Sequence, residues 1–413
     1  MKTTRKTPDK SRPLLDIARE ARRSAVLREA SAEFLRTGVA GANLPAIARR
    51  LGLSRASLYN YCTGREDLAR QCYLEALTSL REMPSGIGAE GGGGLDRFVA
   101  FVRVATEYDR PLAAIAAELD LLPDSARLEI ENAQEQIFAT LSALTAGGIA
   151  DGTIRPCDPA IVARTIWGLI SWIPIGEMWA GRSGDGLTAR MEGEIVELIE
   201  HGIVSERARA RGVTASSALL APLWDERPES RAEEIMRSAS NLFNRRGIEG
   251  VSLDDVAADL SATKGLVYHH FSSKAALVRA CFDRAFDLYD RIMDLAEAEG
   301  DGLEQFRRGL ELNVQAQLHP QPPLNALYRR LPADDQIRVA TRSTTLLGRS
   351  TAGAERGMDD GSLRRFDATA VSLAAAGSFL FLGRWLPRDT VSDAVHVARE
   401  ASSLFLYGLR ATP

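Results

Sequence analysis

The sequence predicts an all-α chain made of two copies of one helical unit, and three observations carry that prediction. First, the chain repeats itself. At a shift of 209 residues, ASAEFLRTGVAGANL from Ala30 falls over ASNLFNRRGIEGVSL from Ala239 without insertion, and DGTIRPCD from Asp151 falls over DGSLRRFD from Asp360. Solenoid repeats run to about 20–50 residues, so a period this long means duplicated domains. Second, Val26, Leu27, Ala30, Phe34 and Leu35 follow helical spacing, as do Ile235, Met236, Ala239, Leu242 and Phe243, and no stretch sustains strand alternation. Third, Pro and Gly clusters at 84–94, 146–156 and 320–323 punctuate the helices.

Composition bounds the rest. The chain has 413 residues, 45% hydrophobic and 26% charged, which suits globular domains with real cores. Its net charge of −4 gives no general affinity for polyanions, so any such function must rest on local clustering. Four cysteines (Cys62, Cys72, Cys157 and Cys281) form no CxxC pair, which fits a reducing cytoplasm. The start, MKTTRKTPDKSRP, is basic but has no apolar run behind it, so no secretory signal is expected. The weakly polar run Ala368–Gly383 falls short of the ~20 residues of a membrane span and is expected to be a buried helix.

Within each half one stretch is most informative: LPAIARRLGLSRASLYNYCTGREDL from Leu44 to Leu68, and LDDVAADLSATKGLVYHHFSSKAAL from Leu253 to Leu277. Each reads as a short helix, a tight turn and a second short helix. Ile47, Ala48 and Leu51 give the first helix its apolar face, and Ala48 is small enough for a close crossing. Gly52 suits a turn with positive φ, and Ser54 and Thr263 suit the N-cap of the following helix. With Leu58 and Val267 turned inward, Arg55, Ser57, Asn60 and Tyr61 face out in one half, and Lys264, His269 and His270 in the other. Such a face fits the major groove of double-stranded DNA, where these side chains can meet base edges. Tyr59 and Tyr268 occupy equivalent positions, as do Arg65 and Lys274, and can reach phosphates. The bland alternative makes both tyrosines half-buried packing residues; the paired basic residue and the repeat favour a helix-turn-helix.

These stretches resemble the DNA-binding segment of the TetR (tetracycline-repressor-like) family of bacterial regulators. The shared pattern is an apolar helix, a turn ending in Ser or Thr, Arg or Lys, a small residue, a Leu or β-branched residue before Tyr, a polar residue, His or Tyr, Phe, and a Lys followed by Leu. TKGLVYHHFSSKAAL matches it in half two and LSRASLYNYCTGREDL in half one. The resemblance covers about 50 residues of each half. It implies phosphate contacts for Tyr59, Tyr61, Arg65, Tyr268, His270 and Lys274, and base-facing roles for Arg55, Ser57, Asn60, Lys264 and His269, with Ser54 and Thr263 opening the two reading helices. It also implies a helical C-terminal domain that binds a small molecule and pairs through two helices. Three departures matter. Cys62 stands where the pattern has Phe, as at Phe271. Ser261-Ala262 replaces the turn Gly52-Leu53. From Arg19 to Arg81 there are 11 basic and 6 acidic residues, against 8 and 10 from Pro228 to Asp290, with Asp254, Asp255 and Asp259 near the expected backbone contact. The first module is therefore expected to be the stronger electrostatic binder; a second module that contacts DNA weakly or mainly serves pairing geometry is the lesser alternative.

The elements then follow in order. Residues 1–19 form a basic tail with Lys2, Arg5, Lys6, Lys10 and Arg12 against Asp9, either an arm that reaches DNA or a solvated segment. Residues 20–82 form the first DNA-binding module and 95–206 the first helical effector and dimerisation domain. Residues 207–228 form a linker, although Leu219, Leu220, Leu223 and Trp224 suit packing against a domain. Residues 229–291 form the second module and 302–413 the second effector domain. In the effector domains Trp167, Trp172 and Trp179 cluster, with Trp172 and Trp179 seven apart on one helical face and Pro174 between them as a source of a kink. Phe381 falls on Trp172 in the repeat. These four residues either line a ligand pocket or belong to the core and helix–helix interface. The small residues of SLAAAGS, from Ser372, suit close packing between the halves.

No catalytic, metal or cofactor signature rises above background. GIGAEG at 86–91 matches GxGxxG but follows a helix end rather than a strand, and reads as a loop. His201, His269, His270, His319 and His396 lack HExxH spacing and cysteine partners. The expectation is a non-enzymatic, cytoplasmic, nucleoid-associated bacterial repressor. It would be a single-chain pseudo-dimer on a non-palindromic operator, responsive to an unidentified small-molecule effector and with no membrane partner. Further homodimerisation stays open. The alternative is a small-molecule-sensing helical scaffold in which one or both modules no longer bind DNA.

Overall fold

The helices follow the repeat. The computed structural model describes residues 11–81, 92–107, 118–179, 186–211, 228–298, 300–326, 328, 331–380, 382–386 and 393–411. Half one runs α1 (Ser11–Gly41), α2 (Leu44–Arg50), α3 (Arg55–Leu58), α4 (Arg65–Arg81), α5 (Gly94–Glu107), a 3-10 turn (Leu119–Leu121), α6 (Asp124–Ala150), α7 (Pro159–Trp179), α8 (Leu187–His201) and α9 (Glu206–Arg211). Half two runs α10 (Arg231–Arg246), α11 (Leu253–Asp259), α12 (Lys264–His270), α13 (Lys274–Glu297), α14 (Gly302–Leu318), α15 (Ala333–Asp359), α16 (Ala368–Leu380), α17 (Leu382–Trp385) and α18 (Ala394–Tyr407). Caps explain several starts. Asn43 accepts from Ala46 N to open α2, and Ser252 and Asp255 form a reciprocal capping box at α11.

Residues 1–10 of the expected basic tail lie outside the described residues, and α1 already runs from Ser11 through the rest of that segment. Of the expected linker, α9 covers the start, and 212–227 lie outside the described residues, as does the GIGAEG stretch.

α1 to α4 form a first head and α10 to α13 a second. Phe34, Ile47, Leu58 and Leu68 are buried in one, Phe243, Val256, Val267 and Leu277 in the other. The first head's core continues through α5 to α8 into α16 and α18, whereas the second head shares a separate core with Leu312, Ala316 and Val339.

The halves meet through α7 against α16, with α8 and α18 beside them. The helices cross closely at two equivalent glycines: a methyl at Gly168 would collide with Gly377 O, and one at Gly377 would lie 2.8 Å from Gly168 O. Around them the hydrogen bonds come in reciprocal pairs. Ile203 N donates to Phe405 O at 3.0 Å and Leu409 N to Ile199 O at 2.7 Å; Arg155 N donates to Leu409 O and Arg364 N to Ile203 O, both at 2.9 Å. Asp158 N donates to Glu400 at 2.9 Å and Asp367 N to Glu194 at 2.8 Å. Such exchange, in which each contact has its mirror, is the signature of an approximate two-fold interface.

The stretch Pro159–Gly176 of α7 is long and apolar enough to cross a membrane by composition, yet 83% of it is buried within the fold. α7 continues through Pro174 to Trp179 instead of breaking there. α16 is the buried helix the sequence predicts.

Candidate nucleic-acid interface

Each head presents one short helix to solvent. In the first, Ser54 has extended backbone and its Oγ accepts from Ser57 N at 3.0 Å, which closes the N-terminus of α3. Leu58 is fully buried and fixes which side faces out. Arg55, Tyr59 and Asn60 are exposed, with Ser57 and Tyr61 half-buried beside them. α3 is a single turn, extended by bonds from Asn60 N to Ser57 O and from Tyr61 N to Leu58 O. The Arg55 guanidinium sits 5.8 Å from the Tyr59 ring centre, near enough for a cation–π contact. Both predicted tyrosines are open to solvent, Tyr59 at 42% and Tyr268 at 52% exposure.

In the second head α12 is longer. Val267 is buried, while Thr263, Lys264, Tyr268, His269 and His270 are exposed. The two histidine rings lie 5.3 Å apart, edge to face. Thr263 stands at the N-cap, but its hydroxyl makes no capping bond.

The cations differ in what they already hold. Arg65 donates to Ala40 O at 2.6 Å and to Glu66 at 3.1 Å, so it braces the α1–α2 turn while remaining at the surface. Lys264 pairs with Asp254 of α11 across the turn. Lys274 is half-buried; burial lowers its ammonium below the usual lysine range, opposed by Glu249 and Asp255. Both expected cations of the second head therefore have acids beside them.

Glu118 has a positioning role that sequence reasoning missed. Its backbone is left-handed, φ 63°, and its carboxylate accepts from Val39 N and from Ala40 N, the latter at 3.2 Å. The same side chain abuts Gly38 and Gly247, the equivalent helix ends of the two heads, where any Cβ would collide with it. One carboxylate of half one thus touches both heads. No local pattern announces it, because its role depends on a long-range contact.

The expected pocket tryptophans lie elsewhere than on the cavity wall described below. Trp167 is fully buried against Phe138, with ring centres 6.1 Å apart. Trp172 is buried over Gly377, within the interface between the halves. These two are core and interface residues, because the close α7–α16 crossing leaves them no open space. The side chain of Trp179 and all of Phe381 lie outside the described residues. A cavity opens instead in half two between α13, α14, α15 and α16, walled mostly by apolar groups. Its wall includes Leu380, whose carbonyl accepts from Asn325 Nδ2 at 2.6 Å, and Asn325 N donates to Asn244 Oδ1 of α10 at 2.8 Å. The small residues of SLAAAGS therefore do two jobs: Gly377 admits α7, and Ala375 and Ala376 line the cavity.

The family model for bacterial regulatory proteins of the tetR family matches twice, at residues 26–72 and 235–281. A model for the tetracyclin repressor-like C-terminal domain matches residues 95–203. The chain belongs to the TetR family. Its two head matches make it a tandem TetR-like duplication. It is 34% identical over 77 residues to the HTH-type transcriptional regulator TtgR of Pseudomonas putida, covering 19% of this chain and 36% of that one. It is 33% identical over 81 residues to the HTH-type transcriptional repressor KstR2 of Mycolicibacterium smegmatis, covering 19% and 40%. The matched part thus spans well under half of these relatives' own length. Among solved structures, the TetR family regulator PfmR from Thermus thermophilus aligns at 22% identity and TM-score 0.38, over 45% of this chain and 100% of that one. AibR, solved with isovaleryl coenzyme A and operator DNA, aligns at 20% identity and TM-score 0.37, over 44% and 100%.

Proposed function

We propose that the chain is a ligand-responsive, sequence-specific DNA-binding repressor that works as a single-chain pseudo-dimer. Its two unlike heads would read two unlike half-sites. The observation that carries this reading is the pair of short helices, each held by one buried residue, Leu58 or Val267, with its polar face in solvent. The reciprocal contacts between the halves support joint action, since heads fixed to one body have a high effective concentration for each other's half-site. The relatives named as a transcriptional regulator and a transcriptional repressor support the same class. The effector would act through the cavity of half two, whose wall is linked by Leu380, Asn325 and Asn244 to the second head. A tenfold change in operator affinity needs only about 1.4 kcal/mol of coupling. In a bacterial cell such a protein would work in the cytoplasm, on the nucleoid.

The test is selection of bound fragments from genomic DNA, with Tyr59→Ala and Tyr268→Ala in parallel. The expected result is a bipartite site with unlike halves, weakened by either substitution and by salt. Loss with Tyr59→Ala alone would make the second head a structural partner. No enriched site at low salt would favour the sensing scaffold.

A further inference from the structure

The two effector domains share their helices but not their interiors. Around the cavity of half two the wall is small at Ser350, Gly353, Ala375 and Ala376. Shifted by the repeat, those positions are Leu141, Leu144, Ile166 and Trp167 in half one. Leu141, Ile166 and Trp167 are fully buried, and Leu144 packs against the same core. Phe138, which meets Trp167 edge to face, stands where half two has Leu347. Arg164, at the position of Leu373, lies 4.6 Å from the Phe138 ring centre and donates to Trp385 O at 2.5 Å and to Glu135 at 3.1 Å. Side chains of half one therefore occupy the space that half two leaves open.

Two features of the open cavity point to its occupant. Ser372 on the wall is buried, and its Oγ has no hydrogen-bond partner among the described residues. A buried hydroxyl left so is unfavourable unless something completes it. Of the two arginines on the wall, Arg349 is matched by Glu297 at 2.9 Å and Asp294 at 2.7 Å. Arg356, exposed at the rim, donates to the neutral Gln305 Oε1 at 3.1 and 2.8 Å, with Glu297 within reach of its charge. The remaining wall is largely apolar, as the walls of small-molecule pockets are.

We propose that the chain takes one small molecule, an apolar anion, in half two only, and that half one is closed to ligand by its own side chains. The apolar body fills the space beside Ala375 and Ala376, a polar atom meets the Ser372 hydroxyl, and the negative group meets Arg356. This rests on reading the chain as a ligand-responsive regulator, but it is tested without DNA.

The full-length chain is titrated with 8-anilinonaphthalene-1-sulfonate, an apolar aromatic anion, and with its neutral counterpart N-phenyl-1-naphthylamine. Stoichiometry is read by calorimetry and affinity by fluorescence. The expected result is one site per chain, weakened at least tenfold by Ala376→Trp, which gives half two the residue of half one. Ser350→Leu does the same if Ala376→Trp fails to fold. Arg356→Gln weakens the sulfonate several-fold more than the neutral probe. Two equal sites per chain, or a single site indifferent to both filling substitutions, would overturn the assignment to half two. Equal loss of both probes in Arg356→Gln would overturn the anionic class. The genomic selection is scored separately: a chain with one filled-in site and no DNA target refutes the regulator, not the pocket, and a chain with a DNA target and no such site does the reverse.

Discussion

The two heads share an interior and differ in charge. α2 reads LPAIARR and α11 reads LDDVAAD. Their buried positions correspond: Leu44 with Leu253, Ile47 with Val256, Ala48 with Ala257. Their outward positions do not, since Arg49 and Arg50 become Ala258 and Asp259, and Pro45 becomes Asp254. In the first head Arg50 joins Glu29 and the buried Glu33 to tie α1 to α2. In the second, Asp259 accepts from Ser238 Oγ at 2.6 Å to make the same junction with opposite polarity. The fold constrains what faces inward, while what faces solvent is free to diverge. A duplicated reader can therefore keep two intact heads and still bind unequally.

The largest expected difference lies in the aromatic anchor. Phe271 and Cys62 are equivalent, and both are buried, at 8% and 4% exposure. Phe271→Ala should destabilise the second head by about 3–5 kcal/mol. Cys62→Ala should cost about 1 kcal/mol in the first, because little volume is lost. Urea denaturation gives the totals, and amide exchange assigns each loss to its head. Similar losses in both would mean that Cys62 anchors the first head as firmly as Phe271 anchors the second.

Acid should also act on the second head first. His319 lies beside α10 and α13, and burial, with Arg237 and Arg284 nearby, lowers its imidazole from 6.5 to about 4. Above pH 6.5 the ring is neutral both folded and unfolded, so stability does not depend on it. As pH falls from 6.5 towards 4, the unfolded chain takes up a proton that the folded chain refuses, and stability is lost. With the ring only partly buried, the loss should total about 2 kcal/mol. His319→Gln should flatten that limb of a melting-against-pH curve; an unchanged limb would assign it to carboxylates.

Much of this was legible in the sequence. The repeat gave the duplication, and the spacing of Leu58 and Val267 gave the outward faces of α3 and α12. The cavity was legible in principle, since the same shift that aligns the heads sets Ser350, Gly353, Ala375 and Ala376 over Leu141, Leu144, Ile166 and Trp167. The aromatic residues drew attention instead, although large side chains fill cavities as readily as they line them. Glu118 was not legible, because its partners Val39, Ala40 and Gly247 lie far from it in the chain.

A smaller difference lies in the turns. Gly52 has φ 64° with nothing near its missing Cβ, and Ser261 adopts φ 50° at the same place. A residue with a Cβ pays for that conformation by about 1 kcal/mol. Ser261→Gly should raise the stability of the second head by about that amount less the entropy of a freer unfolded chain, and Gly52→Ala should lower that of the first by about 1 kcal/mol. Differential melting of the two variants reads both signs, and a destabilised Ser261→Gly would show that the serine hydroxyl matters more than its backbone.

The smallest effect bears most directly on DNA. Lys264 is exposed, yet it pairs with Asp254 on the preceding helix. The Asp254 side chain accepts from that ammonium, which raises the Lys264 pKa and keeps it charged, but also sets a carboxylate against any approaching phosphate. An exposed pair of this kind adds little to stability, because water screens it and two side chains must be held in place. Asp254→Asn should therefore leave melting nearly unchanged while strengthening DNA binding several-fold at low salt. With one more cation available to phosphate, the slope of log affinity against log salt should steepen by about 0.9. The matched substitution in the first head, Pro45→Asp, should move both quantities the other way. If neither changes with Asp254→Asn while Tyr268→Ala still weakens binding, the second head reads DNA through α12 without help from Lys264.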